Sequence, residues 1–283
     1  LKLRASWGQL GNEAALGYYS ANTLIKTGNS LGNGYVQGVG SNPWPGSIAT
    51  ALENRNLQWE TTDSKNVGID FTLKSGKISG SMNYYHNVTD NLLITKRLAP
   101  SAGIDNPILN VGKISNSGFE LEVNYRDQVE EFKYNVGFNL TTLKNKVESL
   151  ANEGQTIYGE GLKFGEEHFP TQARVGSPIS GFYLYKTDGI FQSVEEVNAH
   201  NKNGVLLQPN AQPGDIRFKD LNGDGSIDEN DKAYAGTGLP KLEANLSLGA
   251  SYKGFDFSAL IGSGWGNKLY NGNRYFYESM SAG

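Results

Sequence analysis

VGIDFTLKSGKISGSMNYY (residues 67–85) reads as two β-strands and the tight turn between them. Val67, Ile69, Phe71 and Leu73 alternate with Gly68, Asp70 and Thr72; Ile78, Gly80, Met82 and Tyr84 alternate with Ser79, Ser81 and Asn83. Alternation with period two puts one residue class on each face of a strand. Five more segments repeat it. Leu1, Leu3, Ala5 and Trp7 oppose Lys2, Arg4 and Ser6; Phe119, Leu121, Val123 and Tyr125 oppose Glu120, Glu122 and Asn124. Phe132, Tyr134, Val136, Phe138 and Leu140 oppose Lys133, Asn135, Asn139 and Thr141. Leu242, Ala244, Leu246, Leu248 and Tyr252 oppose Glu243, Asn245 and Ser247, and Phe255, Phe257, Ala259 and Ile261 oppose Asp256 and Ser258.

The connections alternate as regularly as the residues. Short ones fall at Lys74–Gly76, Asp127–Glu131 and Lys253–Gly254; long ones cover about 8–56, 87–117, 143–240 and 263–283. An up-and-down outer-membrane barrel has this asymmetry, with short periplasmic turns and long outer loops. Segment lengths approach the ~9–11 residues of a tilted spanning strand. Trp7, Tyr84, Tyr125, Phe132, Tyr252 and Phe255 gather near strand ends, where an interfacial girdle belongs. Leu57–Asn66 prolong the second strand with Trp59, Thr61, Asp63 and Lys65 at positions that are apolar deeper down, as a strand leaving lipid requires. The expected fold is therefore all-β: a segment of an antiparallel transmembrane β-barrel. A half-buried strand of a soluble sandwich alternates in the same way, so the loop asymmetry carries the choice. Seven strands leave edges that hydrocarbon does not tolerate, so residues 1–283 are expected to be an internal fragment of a larger barrel domain.

Composition narrows the function classes. Basic and acidic residues nearly balance (25 against 29, net −4) and no basic stripe exists, which argues against nucleic acid. The mean hydropathy of −0.47 suits a barrel, whose lipid-facing and lumen-facing residues average out. No apolar run reaches the ~18 residues of a helical span. With Cys 0, disulfides, thiolate metal sites and cysteine nucleophiles are excluded.

One stretch carries metal chemistry. In GDIRFKDLNGDGSIDENDK, Asp220, Asn222, Asp224, Ser226, Asp228 and Asp231 take the ligand positions of a twelve-residue calcium loop, with Gly225 at its sharp turn. Hard oxygen donors at alternate positions let the backbone coil round a cation, so a structural Ca2+ is expected in an outer loop. Asp231 stands where an EF-hand has the longer Glu. The competing reading is an acidic Asn/Gly turn ordered by Asx hydrogen bonds without metal.

Catalysis finds no motif. His86, His168 and His200 are scattered, Glu120 and Glu122 suit a polar lumen face, and Glu166 and Glu167 are merely adjacent. GSGWGN lacks the strand–turn–helix setting of a phosphate loop. No enzyme is expected. Trp44, Tyr158, Tyr183 and Tyr185 are the candidate substrate-binding residues; with Phe169, Tyr275 and Tyr277 they are loop aromatics able to stack on a sugar or pack on a peptide. Holding long loops together is their commoner use. Ser193–His200 reads as a short helix with Ser193 as N-cap.

LKLRASWGQLGN, NLQWETTDSKNVGIDF, ISGSMNYYHNVTDNLL, NVGKISNSGFELEVNY, GDIRFKDLNGDGSIDENDK and YKGFDFSALIGSGWGN together resemble, in order, the barrel of SusC/RagA-type TonB-dependent outer-membrane transporters. The resemblance implies the later part of a plugged barrel of about 22 strands in the bacterial outer membrane. It also implies energised uptake of oligosaccharides or peptides, a SusD-like surface lipoprotein over the loops, and TonB acting through a segment outside this sequence. Two other readings stand beside it. One is a barrel of this type serving as a docking component of a surface or secretion assembly. The other is a soluble all-β carbohydrate-binding module with structural calcium.

Overall fold

The computed structural model describes residues 1–14, 16–17, 20–22, 25–28, 34–35, 44–49, 53–95, 98, 100–150, 154, 156–159 and 170–278. The chain divides into two compact units, Leu1–Gln155 with Leu242–Ser263, and Thr156–Lys241 with Gly264–Gly283.

The first unit is an antiparallel wall. Its strands are β1 (Lys2–Asn12), β2 (Glu60–Leu73), β3 (Ile78–Asp90), β4 (Gly112–Val129), β5 (Phe132–Thr142) and β6 (Lys144–Leu150). The second unit contributes β7 (Ile157–Tyr158), β8 (Thr171–Ala173), β9 (Gly181–Tyr185), β10 (Thr187–Ile190), α1 (Val194–Ala199), β11 (Ile216–Phe218) and β12 (Lys232–Thr237). The chain then returns to the wall as β13 (Leu242–Tyr252) and β14 (Phe255–Trp265). Wall order is β1-β2-β3-β4-β5-β13-β14, with β6 on β4 beyond the end of β5. All seven expected strands are present, and neighbours in sequence are neighbours in the sheet.

Register sorts the side chains into rows. Leu3, Ile69, Met82, Leu121, Leu140 and Ala244 stand opposite one another across six strands. One residue along, Lys2, Asp70, Ser81, Glu122, Asn139 and Asn245 form the corresponding row on the other face. The apolar face is open among the described residues: Leu3 is 73 % exposed and Phe257 61 %. An exposed apolar band of this extent is stable only against lipid. That excludes the soluble module.

Three tight turns close the hairpins at one end. Lys253 (φ 48) and Gly254 (φ 85) form a two-residue turn with both residues left-handed, the geometry whose twist matches the strands. Near these turns Tyr125 and Tyr134 (5.7 Å), Phe132 and Tyr134 (5.7 Å), and Phe132 and Tyr252 (6.3 Å) pack as a belt. At the other end Trp7 Nε1 donates to Asp63, on the outward face where the strand turns polar.

The long connections are more ordered than expected. β3 runs on to Asp90, β4 starts at Gly112, and β6 keeps pairing within the stretch assigned wholly to a loop. Pairing there continues after the alternation has stopped, and Ile114 and Val147 on facing strands are buried. Residues 156–241 build a unit with its own sheet, β7-β8-β9-β12, and its own buried side chains: Ala173, Phe182, Tyr183, Phe191 and Val197. The expected helix is α1, where Ser193 Oγ accepts the Glu196 N–H and acidic Glu195 and Glu196 occupy the first turn.

Candidate functional site

Two surfaces have the residues for function: the polar face of the wall and the loop unit. On the wall, Arg4 Nη2 donates to Asp70 Oδ1 (2.7 Å) and Asn83 Oδ1 (2.8 Å), binding three strands together. Asn124 Nδ2 donates to Glu122 Oε1 (2.8 Å). Toward the tight turns this face curves round a concavity of ≈ 930 Å³ whose lining includes Arg126, Asn135, Ser247, Gly249 and Asp256. It is a hydrated lumen wall of amides, hydroxyls and both signs of charge.

The loop unit places the candidate aromatics differently from one another. Tyr158 lies on β7 opposite Gln172 and keeps 39 % of its surface exposed. Tyr183 on β9 is buried: its hydroxyl donates to Ser177 Oγ (2.6 Å), Arg174 covers one ring face at 4.4 Å, and Tyr234 meets it edge-on at 5.8 Å. No face remains for a ligand, so Tyr183 is corrected to a packing residue. Tyr185 packs on Phe218 (5.3 Å) beneath the Lys232 ammonium (5.1 Å). Burial and nearby Glu229 push its hydroxyl pKa above the usual value. Trp44 begins the strand Trp44–Ala49, and its side chain lies outside the described residues, as do Phe169, His168, Glu166 and Glu167. Of the three expected residues with described side chains, Tyr158 and Tyr185 both lie near Glu229, whereas Tyr183 is buried.

Polar connections that the sequence did not signal hold this unit. Arg174 Nε donates to the buried Gln172 Oε1 (2.9 Å) and Nη2 to the Glu229 carbonyl (3.4 Å), tying β8 to the end of the acidic loop. Asp188 pairs with Lys219 (3.1 Å), whose hydrogen bond holds the Asp188 carboxyl below the usual range.

The Asp220–Asp231 loop forms the coil its spacing calls for. Asp220 accepts the N–H groups of Gly223 (2.6 Å) and Gly225 (2.9 Å), Asn222 Oδ1 that of Asp224, and Asp224 Oδ1 that of Ser226. Gly225 makes the sharp turn with φ 95. Asp228 caps the following turn and Asp231 completes the capping box. Asp231 has no exposed surface and accepts Leu221 N (2.7 Å), Asn222 N (3.4 Å) and Asp228 N (2.9 Å). Burial alone raises such a carboxyl, but the three N–H donors outweigh it and hold Asp231 below the usual carboxylate range. A calcium site needs oxygens converging on one point. Among the described residues no group of three or more His, Asp or Glu side chains is placed to hold an ion.

An antiparallel wall with an apolar and a polar face fits the comparisons with known proteins. The family model "TonB dependent receptor-like, beta-barrel" matches residues 1–282. The chain belongs to the TonB-dependent receptor family. It is 30% identical to TonB-dependent receptor P26 of Formosa agariphila over 282 residues, covering 98% of this chain and 27% of that receptor. Against TonB-dependent receptor SusC of Bacteroides thetaiotaomicron it is 26% identical over 276 residues, 95% of this chain and 25% of SusC. A solved structure of the RagAB peptide transporter superposes with a TM-score of 0.72 at 20% identity, covering 98% of this chain and 28% of that one. That likeness speaks for the fold. The chain spans about a quarter of the length of the curated relatives it matches. As a TonB-dependent receptor barrel it is an outer-membrane protein of a receptor family, not an enzyme family.

Proposed function

We propose that this chain forms part of the barrel wall and the substrate-facing loops of a receptor that imports large nutrients across the outer membrane. The division of the wall into an apolar outer and a polar inner face supports this reading, together with the likeness to TonB-dependent receptors. Energy is taken from TonB through a part of the polypeptide other than residues 1–283, and a SusD-like surface lipoprotein covers the loops. The cargo class is oligosaccharide or peptide. Tyr158 (39 % exposed) and Tyr277 (87 %) are described loop aromatics exposed enough to meet such cargo.

The test is uptake. Cells with and without the complete gene are given a tryptic casein digest or a dextrin hydrolysate, and depletion of each from the medium is followed by mass spectrometry. Loss of uptake of one mixture on deletion is expected. Equal uptake of both, with a SusD-like lipoprotein absent from pull-downs and other surface proteins present, would favour the docking role.

Calcium in the Asp220–Asp231 loop is a separate proposal, supported by the ligand spacing and the coiled backbone rather than by converging carboxylates. Calorimetric calcium titration of the full receptor should give heat that Asp224→Ala removes. Identical traces for parent and variant would end the idea.

A further inference from the structure

On the lumen face four asparagines each lie across a glycine of the adjoining strand. A Cβ on Gly68 would stand 2.2 Å from Asn83 Oδ1, on Gly249 2.3 Å from Asn135 Oδ1, on Gly262 2.8 Å from Asn245 Oδ1, and on Gly137 2.9 Å from Asn124 Oδ1. Three of these pairs are directly opposite in register: Asn83 with Gly68, Asn124 with Gly137, and Asn135 with Gly249. Side chains of a strand ordinarily stand away from the sheet. Here the missing side chain opposite lets the amide lie down on the wall.

Two other wall glycines show what folding itself requires. A Cβ on Gly118 would meet the Thr142 carbonyl at 1.9 Å, and one on Gly80 the Glu122 carbonyl at 2.2 Å. Both obstacles are main chain and cannot move. At Gly137, Gly249 and Gly262 the nearest obstacles are the ends of flexible side chains, Ser247 among them. A methyl group there is accommodated once the side chain swings up into the lumen. Glycine weakens a strand interior, so its presence calls for a reason, and the chain path does not supply one. The posture of the amide does. Asn135 and Gly249 both line the concavity, and an upright Asn135 would occupy part of it.

We propose that Asn83, Asn124, Asn135 and Asn245, laid flat over glycines, set the clearance of the lumen along this wall. They pave it with neutral amides, so a hydrated polar cargo of sugar hydroxyls or peptide groups passes without projecting side chains in its way. This rests on the uptake reading above.

In cells carrying the complete receptor with Gly249→Ala or Gly137→Ala, uptake of the responsive mixture, casein digest or dextrin hydrolysate, falls several-fold. The amount of heat-modifiable barrel in the outer membrane is unchanged. Adding Asn135→Ala to Gly249→Ala removes the upright amide and restores uptake. Parental uptake in both single variants overturns the inference. So does failure of the double variant to recover, or a fall in barrel amount that matches the fall in uptake. If deleting the gene leaves uptake of both mixtures unchanged, the uptake reading falls and this inference with it.

Discussion

The wall and the loop unit treat apolar residues in opposite ways. In the wall Leu3, Val67, Phe257 and Ile261 are exposed, and the described apolar residues that are buried, Ile114 and Val147, lie on the pairing of β4 with β6. In the loop unit Phe182, Phe191 and Val197 are buried, Phe191 with 1 % of its surface exposed. One chain thus folds by two rules, because its solvent changes. The wall leaves apolar area for lipid to cover, whereas the loop unit has only itself. Substitutions that reverse polarity should therefore act differently in the two regions.

The largest expected effect is in the wall and is steric. Gly118→Ala drives a methyl group against the Thr142 carbonyl and the Tyr85 hydroxyl (2.6 Å), where β5 ends and β6 takes over. A fixed main-chain obstacle costs more than about 3 kcal/mol, the upper end of ordinary overpacking. Heat-modifiable receptor should disappear from the outer membrane. Normal assembly would show that the junction is looser than its geometry.

Next comes polarity. Phe257→Arg points a guanidinium at lipid two residues in from the interfacial Phe255 and should cost about 1–2 kcal/mol, between the interface and midplane values. Ser258→Arg, one residue on, points into the lumen and should leave folding by denaturant titration nearly unchanged. Equal effects would mean that the two faces are not lipid and water.

In the loop unit the largest effect belongs to Asp231. Asp231→Ala leaves three part-buried N–H groups without their acceptor, and about 2 kcal/mol of local stability should go. Hydrogen exchange over residues 216–232 would report it, with the wall unaffected. The same carboxyl gives a pH dependence. Its folded pKa lies below the unfolded value, so its stabilisation is present at neutral pH and is lost as pH falls below about 4 through the folded pKa. Asp188, held down by Lys219, acts in the same direction. Exchange protection of this loop should weaken in acid in the parent and less so in Asp231→Asn.

The same change of solvent governs what the sequence could reveal. Lipid on one side and water on the other impose period two, so Val67–Leu73 and Ile78–Tyr84 are legible at sight. Before Ser117, where β4 pairs with β6, polar Ser115 is buried beside Ile114 and Val147, and the period disappears although the ladder continues. The β6 sequence KNKVESL therefore gave no strand signal. In the loop unit the core is gathered from strands of two to six residues, from Phe191 and from α1, too short for any period, and Arg174 reaches Glu229 across a sequence distance that no local pattern encodes. The acidic loop was legible as a coil because its spacing is local; the direction of its carboxylates was not. Nor were the Asn–Gly pairs, which exist only once register is fixed.

The finest comparison is within one strand of the loop unit. Tyr183 and Tyr185 are both tyrosines of β9, and stacking on cargo was open to either. Tyr183→Phe deletes the hydroxyl bonded to Ser177 while leaving the ring between Arg174 and Tyr234. The expected loss is about 1 kcal/mol of local stability, one hydrogen bond's net worth, with no change in uptake. At Tyr158 the order should reverse: Tyr158→Ala removes an exposed ring and should change uptake more than stability. If Tyr183→Phe instead altered uptake while exchange protection stayed the same, the buried ring would have to be in contact with cargo, and the loop unit would have to open for it.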